Sequence, residues 1–450
     1  MPRSANKRFA APSLPRWSPH DRAIVRLAVP AFGALVAEPL YVLADTAVVG
    51  HLGTPELGGV AVASSVLLTF HGLSIFLAYG TTAAVARRMG ARDEAGAAGD
   101  AVQSLWLALG IAVVSGAIVV AAAEPLLRSL GAEGEVLRHG LTYLRISVLG
   151  LPAMLATLAG TGWLRGIQDT RTPLAVAVGT AVANLVLELW LIYGLGYGIG
   201  ASALSTVVVQ CAGAAVYMRS LHRGASGLSV PLRPHLARIR GLARVGWDLV
   251  VRTAALRAAF VLATAVATRI GPVELAAHQI SFEIWTALAL GLDAVAIAGQ
   301  ALIGTHLGAQ EARTAREVGD RMLRWGIVLG VVAGLGVLAL RGVLPDVFTG
   351  DPPVASLVTF LLLWVAVLQP LNGIVFVLDG LLIGAGDQRH LAKAMVVSLA
   401  VYAPVAVAVG ALGWGIGWLW AAIATLMAAR LVTLLSRWRS EGWAGEPFAG

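Results

Sequence analysis

Charge is what this chain has least of. Asp, Glu, Lys and Arg make up 13% of its 450 residues, against 58% hydrophobic, and the mean hydropathy is +0.78. A soluble domain carries roughly a quarter charged residues, so that class is excluded, and apolar runs of about 20 residues recur along the chain. Lysine is nearly missing. Lys7 and Lys393 are the only two, and neither belongs to a Walker A pattern, so no P-loop ATPase is encoded and an ion gradient is the expected energy source. The single cysteine, Cys211, falls inside an apolar run, which excludes an internal disulfide and a cysteine-based zinc site. The first 22 residues have no apolar core of the signal-peptide kind and read as a short cytoplasmic tail.

What is there is a series of spans. Twelve are expected, near residues 23–49, 57–86, 101–122, 136–160, 172–193, 197–218, 243–269, 274–305, 322–340, 354–380, 391–411 and 415–436. The fold class is therefore an all-α polytopic membrane protein. Most of the 33 Lys and Arg fall on one side of these spans, with Arg128, Arg138, Arg269 and Arg341 on the other. By the positive-inside rule both termini face the cytoplasm, across the inner cell membrane. The net charge of +8 is then topology, with membrane lipid as its partner and no role for nucleic acid.

The chain also repeats itself. LGTPEL at Leu52–Leu57 returns as IGPVEL at Ile270–Leu275, RMGARDEA at Arg88–Ala95 as HLGAQEAR at His306–Arg313, RGIQDTR at Arg165–Arg171 as IGAGDQR at Ile383–Arg389, and Pro152 as Pro370. Each pair is offset by 218 residues; LGYGIG at Leu195–Gly200 returns as LGWGIG at Leu412–Gly417, one residue short of that register. Two copies of six spans follow. An even number per copy makes them parallel repeats, which form two lobes around a central cleft and suit alternating access. The expected divisions are a tail at 1–22, an N-lobe at 23–221, a basic linker at 222–241, a C-lobe at 242–437 and a cytoplasmic tail at 438–450. The glycine-rich stretches at 194–200 and 410–417 have no following Lys and no strand before them, so they read as tight turns rather than phosphate loops.

Inside the first span, AEPLYVLADTAVVGHLG at Ala37–Gly53 puts Asp45 at bilayer depth, where an ionisable group is a functional candidate by default. Glu38, Tyr41 and Asp45 share one helical face, and Pro39 beside them removes a backbone hydrogen bond and marks a bend. At the repeat register Asp45 corresponds to Ala263 and Glu188 to Ala406, so neither acid is needed to build a lobe. Asn184 and Glu188 are i, i+4 in the fifth span, as Thr206 and Gln210 are in the sixth. Buried carboxylates of this kind exchange protons, and when charged they hold a cation. In the C-lobe, Gln279, Glu283, Thr286, Asp293 and Gln300 follow one face of the eighth span, and Asp379 lies late in the tenth. Two readings stand for them: coupling or substrate contact, and structural ion pairs with Arg252 and Arg257. His51, His71 and His278 show no ligand spacing. Gly326, Gly330 and Gly334 form a helix-packing face, and Trp414, Trp418 and Trp420 an aromatic belt.

These residues resemble a known family. LADTAVVGHLG, AVARRMGARD, LRGIQDTRTP, NLVLELWLIYGLGYGIGASALST and LDGLLIGAGD together are similar to the multidrug and toxic compound extrusion (MATE) transporters, particularly their DinF-like branch, over about residues 23–437. The resemblance implies twelve helices in two lobes and antiport of drug-like, often cationic, small molecules against H+ or Na+, with no cofactor. It implies that Asp45, Asn184, Glu188 and Thr206 form the proton or cation network, and that the first helix bends at Pro30. Where the family often has Asp, this chain has Glu188, one methylene longer. Asp379 resembles an acid that some relatives use for coupling in the C-lobe. The rival of another class is a flippase for lipid-linked precursors, which would favour a strongly cationic cleft. An intramembrane enzyme lacks both a catalytic motif set and loops long enough to carry one.

Overall fold

The computed structural model describes residues 18–440 and 442–444. The tail residues 1–17, 441 and 445–450 lie outside the described residues. Among the described residues, twelve helices are long and apolar enough to cross a membrane. They are α1 (Pro19–Gly50), α2 (Thr54–Gly90), α3 (Glu94–Ala121), α4 (Gly134–Gly166), α5 (Arg171–Gly194), α6 (Ile199–Gly227), α7 (Leu236–Ile270), α8 (Pro272–Gly308), α9 (Ala312–Leu340), α10 (Pro352–Ala385), α11 (Gln388–Ala411) and α12 (Ile416–Arg439). Every expected span corresponds to one of them.

Three spans are interrupted. A turn at Ile75 divides α2, a 3-10 turn at Val148–Gly150 precedes Pro152 in α4, and α5 ends in a π turn, Trp190–Gly194. The turns after α5 and α11 rely on Gly196 (φ +73°) and Gly413 (φ +66°), left-handed positions that glycine takes at no steric cost. The linker is shorter than its composition implied. α6 continues to Gly227 and α7 starts at Leu236, because basic residues are good helix formers. The remaining strand of chain is stitched to α3, where Gln103 bonds both Arg233 O (3.1 Å) and His235 N (2.7 Å).

Small residues set how close the helices come. On α9, a Cβ at Gly326, Gly330 or Gly334 would run into the carbonyl oxygens of Gly373, Gln369 and Ala366 on α10. This is the small-xxx-small packing expected from the sequence. Of the three tryptophans at the start of α12, Trp414 and Trp418 are exposed in the expected belt. Trp420 is not: it is buried against His278, which is itself core rather than interface. The last tail is partly core as well, since Trp443 stacks on Trp438 at 4.2 Å.

The lobes are held against each other at one end. At the end carrying the linker and both chain ends, α2 of one lobe lies so close to α8 of the other that a Cβ at Gly90 or Gly308 would strike the facing backbone, Thr305 O or Arg87 O. Gln168 donates to Thr305 Oγ1 there (3.2 Å), and Arg87 to Ala385 O (3.3 Å). Helix α1 crosses between lobes at the same end. Ser18 and Asp21 form a capping box that starts it, and the same Asp21 carboxylate accepts from Arg321 (2.7 Å) and Trp325 (2.8 Å) on α9. Ile24, Leu27 and Ala28 then join the hydrophobic core of the C-lobe. Toward the opposite end Gln279, Glu283 and Thr286 of α8 are exposed. Polar side chains on a membrane helix avoid lipid, so this face borders the cleft, which is open at that end.

Candidate functional site

The acids of the N-lobe come together as expected. Asp45 on α1 is 8% exposed and accepts a hydrogen bond from Ser202 Oγ on α6 (3.3 Å). Glu188, at the end of the regular part of α5, is fully buried and approaches both Asp45 and Ser202. Neither of its oxygens reaches hydrogen-bond geometry, and neither polar atom of Asn184, one turn earlier, has a partner among the described residues. Leaving such groups unpaired costs roughly 1–3 kcal/mol each, so the cluster is built for something other than stability. Ionic and neutral oxygens converge here, the kind of donor set that could take up a proton or a hard cation.

Thr206 lies one turn further along α6 and shares a hydrogen bond with Tyr41 (3.1 Å) instead of touching the acids. Ser202 was not singled out from the sequence, although it extends the i, i+4 series of Thr206 and Gln210 by one step. Tyr143 of α4 also borders the acids. Both proposed hinges, Pro30 and Pro39, lie within α1, whose helix continues through them.

Below the acids the N-lobe is hollow. A cavity of about 290 Å³ runs from Tyr41, Asn184 and Thr206 to Thr161, Arg165 and Tyr217 near the closed end. The equivalent positions of the C-lobe are filled. At the repeat register Tyr41, Asp45, Asn184, Glu188, Ser202 and Thr206 become Ala259, Ala263, Tyr402, Ala406, Leu419 and Ile423, all buried in one apolar core. Four positions that line the N-lobe cavity, Ala34, Ile75, Thr161 and Gly213, become Arg252, Asp293, Asp379 and Arg430.

That substitution explains the charges of the second lobe. Asp379 is 6% exposed and binds Arg252 (2.6 Å) and Arg430. Arg430 was missed in the sequence, where it is one more basic residue near a helix end. Asp293 lies within electrostatic reach of the same arginines. The structural ion-pair reading thus holds for Asp379 and Arg252, but not for Arg257, which is exposed and rests against Gly72 of α2. The α8 stripe is not brought together: Glu283 is exposed toward the open end, and Gln300 is buried two turns past Asp293. Removing one partner from a buried ion pair costs about 3–5 kcal/mol. Asp379→Asn is therefore expected to lower the melting temperature clearly, and Asp379→Leu with Arg430→Met to recover much of the loss. A transport defect in Asp379→Asn that exceeds its loss of folded protein would instead reveal a coupling role.

The family model MatE matches residues 30–190 and 250–409, once in each copy of the repeat. The chain is 34% identical over 434 residues to Protein DETOXIFICATION 44, chloroplastic, of Arabidopsis thaliana, covering 92% of this chain and 81% of that protein. It is 30% identical to DNA damage-inducible protein F of Escherichia coli (strain K12), covering 95% and 94%. A solved structure described as the outward-facing conformation of a multidrug resistance MATE family transporter of the MOP superfamily superposes with a TM-score of 0.86, at 22% identity over 96% of this chain and 98% of that one.

Proposed function

Because the chain belongs to the MATE family of transporters, in its DinF-like branch, we propose that it is a secondary antiporter exporting drug-like organic compounds in exchange for H+ or Na+. The observation that carries this reading is the buried, under-bonded cluster of Asp45, Asn184 and Glu188 at the head of a cavity whose other end is sealed. The charge distribution supports a cytoplasmic location for the sealed end, so this conformation faces outward.

Substrate binds in the N-lobe cavity while the acids are ionised. A proton, or Na+, arrives through the open end and neutralises the Asp45–Glu188 pair, which weakens the hold on a cationic group. Asp45 belongs to α1, whose first turns are fixed to the C-lobe, so a change at the acid is felt between them at Pro39 and Pro30. Substrate leaves outward; the loaded carrier then closes, opens at the other end and releases its ion. DinF-like kinship and the acidic N-lobe favour this over lipid-precursor flipping.

The test is movement of a fluorescent cationic dye in proteoliposomes under an imposed pH gradient and, separately, a Na+ gradient. One of the two gradients is expected to drive dye uphill. If neither moves it, the antiport reading falls, and flipping of lipid-linked precursors becomes the next assay.

A further inference from the structure

The sealed end of the N-lobe cavity carries a charge that this exchange scheme does not use. Arg165 on α4 is 8% exposed, lines the cavity and has no hydrogen bond or ion pair among the described residues. Side chains of a helix lean toward its N-terminus, so a residue this close to the end of α4 reaches back into the cavity rather than away from it. Three hydroxyls stand around it. Thr161 is one turn earlier on the same helix, and Tyr79 and Tyr217 line the same cavity with their phenols within electrostatic reach of the guanidinium.

Fold building does not account for this arginine. At the repeat register Arg165 is Ile383, a core residue of the C-lobe at 2% exposure. Nor does a neighbour hold it in a direct ion pair: Asp293 reaches it only at longer electrostatic range. Asp379 is taken by Arg252 and Arg430, and Arg252 is also the strongest opposing charge on Asp293. Three guanidiniums thus face two carboxylates, and Arg165 is the surplus one. An unpaired buried cation is expensive at bilayer depth, and it persists where a ligand completes it.

We propose that Arg165, with Thr161, Tyr79 and Tyr217, is a subsite for the carboxylate of an amphipathic organic acid. A guanidinium presents a planar fork that matches a carboxylate bidentately, and the hydroxyls donate to the remaining lone pairs. One surplus positive charge suits a monoanion better than a doubly charged phosphate. The apolar body of the acid lies along Leu158, Val176 and Val209. The cavity is then polar at both ends with opposite signs, so carboxylic acids and zwitterions join cations among its ligands. That these ligands are also exported rests on the antiport reading above; that they bind does not.

Binding is therefore measured without any gradient, on the full chain in lipid nanodiscs, by fluorescence titration with dansylglycine, its neutral amide and dansyl-ethylenediamine, with empty nanodiscs as the blank. Dansylglycine is expected to bind wild type at least 10-fold more tightly than its amide does. Arg165→Gln is expected to erase that preference, Arg165→Lys to restore part of it, and Tyr217→Phe to weaken dansylglycine several-fold. Equal binding of acid and amide to wild type would overturn the proposal, and so would an undiminished preference in Arg165→Gln. If Arg165→Gln does not fold, the wild-type preference and the Tyr217→Phe titration decide between the same outcomes. Gradient-driven dye transport by wild type reads the antiport proposal independently, so either can fail alone.

Discussion

Asp45→Asn abolishes gradient-driven export while the protein remains folded in the membrane. The substitution keeps the shape and the hydrogen bond from Ser202 but removes the buried carboxylate that α1 contributes beside Glu188. A charge lost a few ångströms from a bound cation, at the effective dielectric of a protein, is worth about 4 kcal/mol, and every 1.4 kcal/mol is about tenfold in affinity. Cation export driven by a gradient should fall by about 100-fold or more. Stability should move the other way or not at all. Asp45 and Glu188 are buried beside each other, and making one neutral removes a repulsion. Glu188→Gln is expected to behave alike, whereas Glu188→Asp keeps the charge and tests whether its longer reach matters. The measurement is the dye assay at matched protein levels, with thermal unfolding alongside. Normal transport by Asp45→Asn would remove the N-lobe from the coupling mechanism and turn attention to Asp293 and Asp379.

Gly308→Val shifts the balance of conformations toward one open at the end of the chain termini. The facing backbones of α2 and α8 touch at Gly308 and Gly90, and backbone cannot swing aside as a side chain does. Forcing carbon into such a contact costs about 1–3 kcal/mol. The contact exists only while that end is sealed, so the cost falls on the sealed state alone and depopulates it by roughly 5- to 150-fold. A reporter reads this directly. Cys211 is the only cysteine, and in a Cys211→Ser background Ala78→Cys places a thiol in the buried wall of the N-lobe cavity. An impermeant maleimide added from the side of the termini should label it at least tenfold faster when Gly308 is Val. Gly308→Ala should show a smaller change. Unchanged labelling would mean that the α2–α8 contact does not hold the seal.

Most of the N-lobe site was legible because its signals are local. An acid inside an apolar run, as at Asp45 and Glu188, stands out whatever surrounds it, and the second copy of the repeat gives a matched position without one. The helices were legible for the same reason. Pairing across helices was not. Nothing in the period of α12 says that Arg430 reaches Asp379 on α10, and nothing in the α8 stripe says that its two ends face different surroundings. Arg165 sat in plain view within RGIQDTR, yet its importance depends on who fails to pair with it, and that is a property of the packed structure. Trp420 was assigned to the membrane interface by position, but its helix turns that ring toward His278.

Helix α1 has consequences for the ancestry written in the repeat. By sequence it is the first member of the first copy, yet Asp21, Ile24, Leu27 and Ala28 are built into the second. The unit that was duplicated is therefore no longer the unit that folds. A gene divided at residues 228–235 would make a C-terminal product with Arg321 and Trp325 stripped of their carboxylate and with a bare patch on its core. The N-terminal product would carry three apolar side chains that belong to its sibling. The two copies began as interchangeable modules and have become obligate halves, one hollow and one filled, sharing a single helix between them.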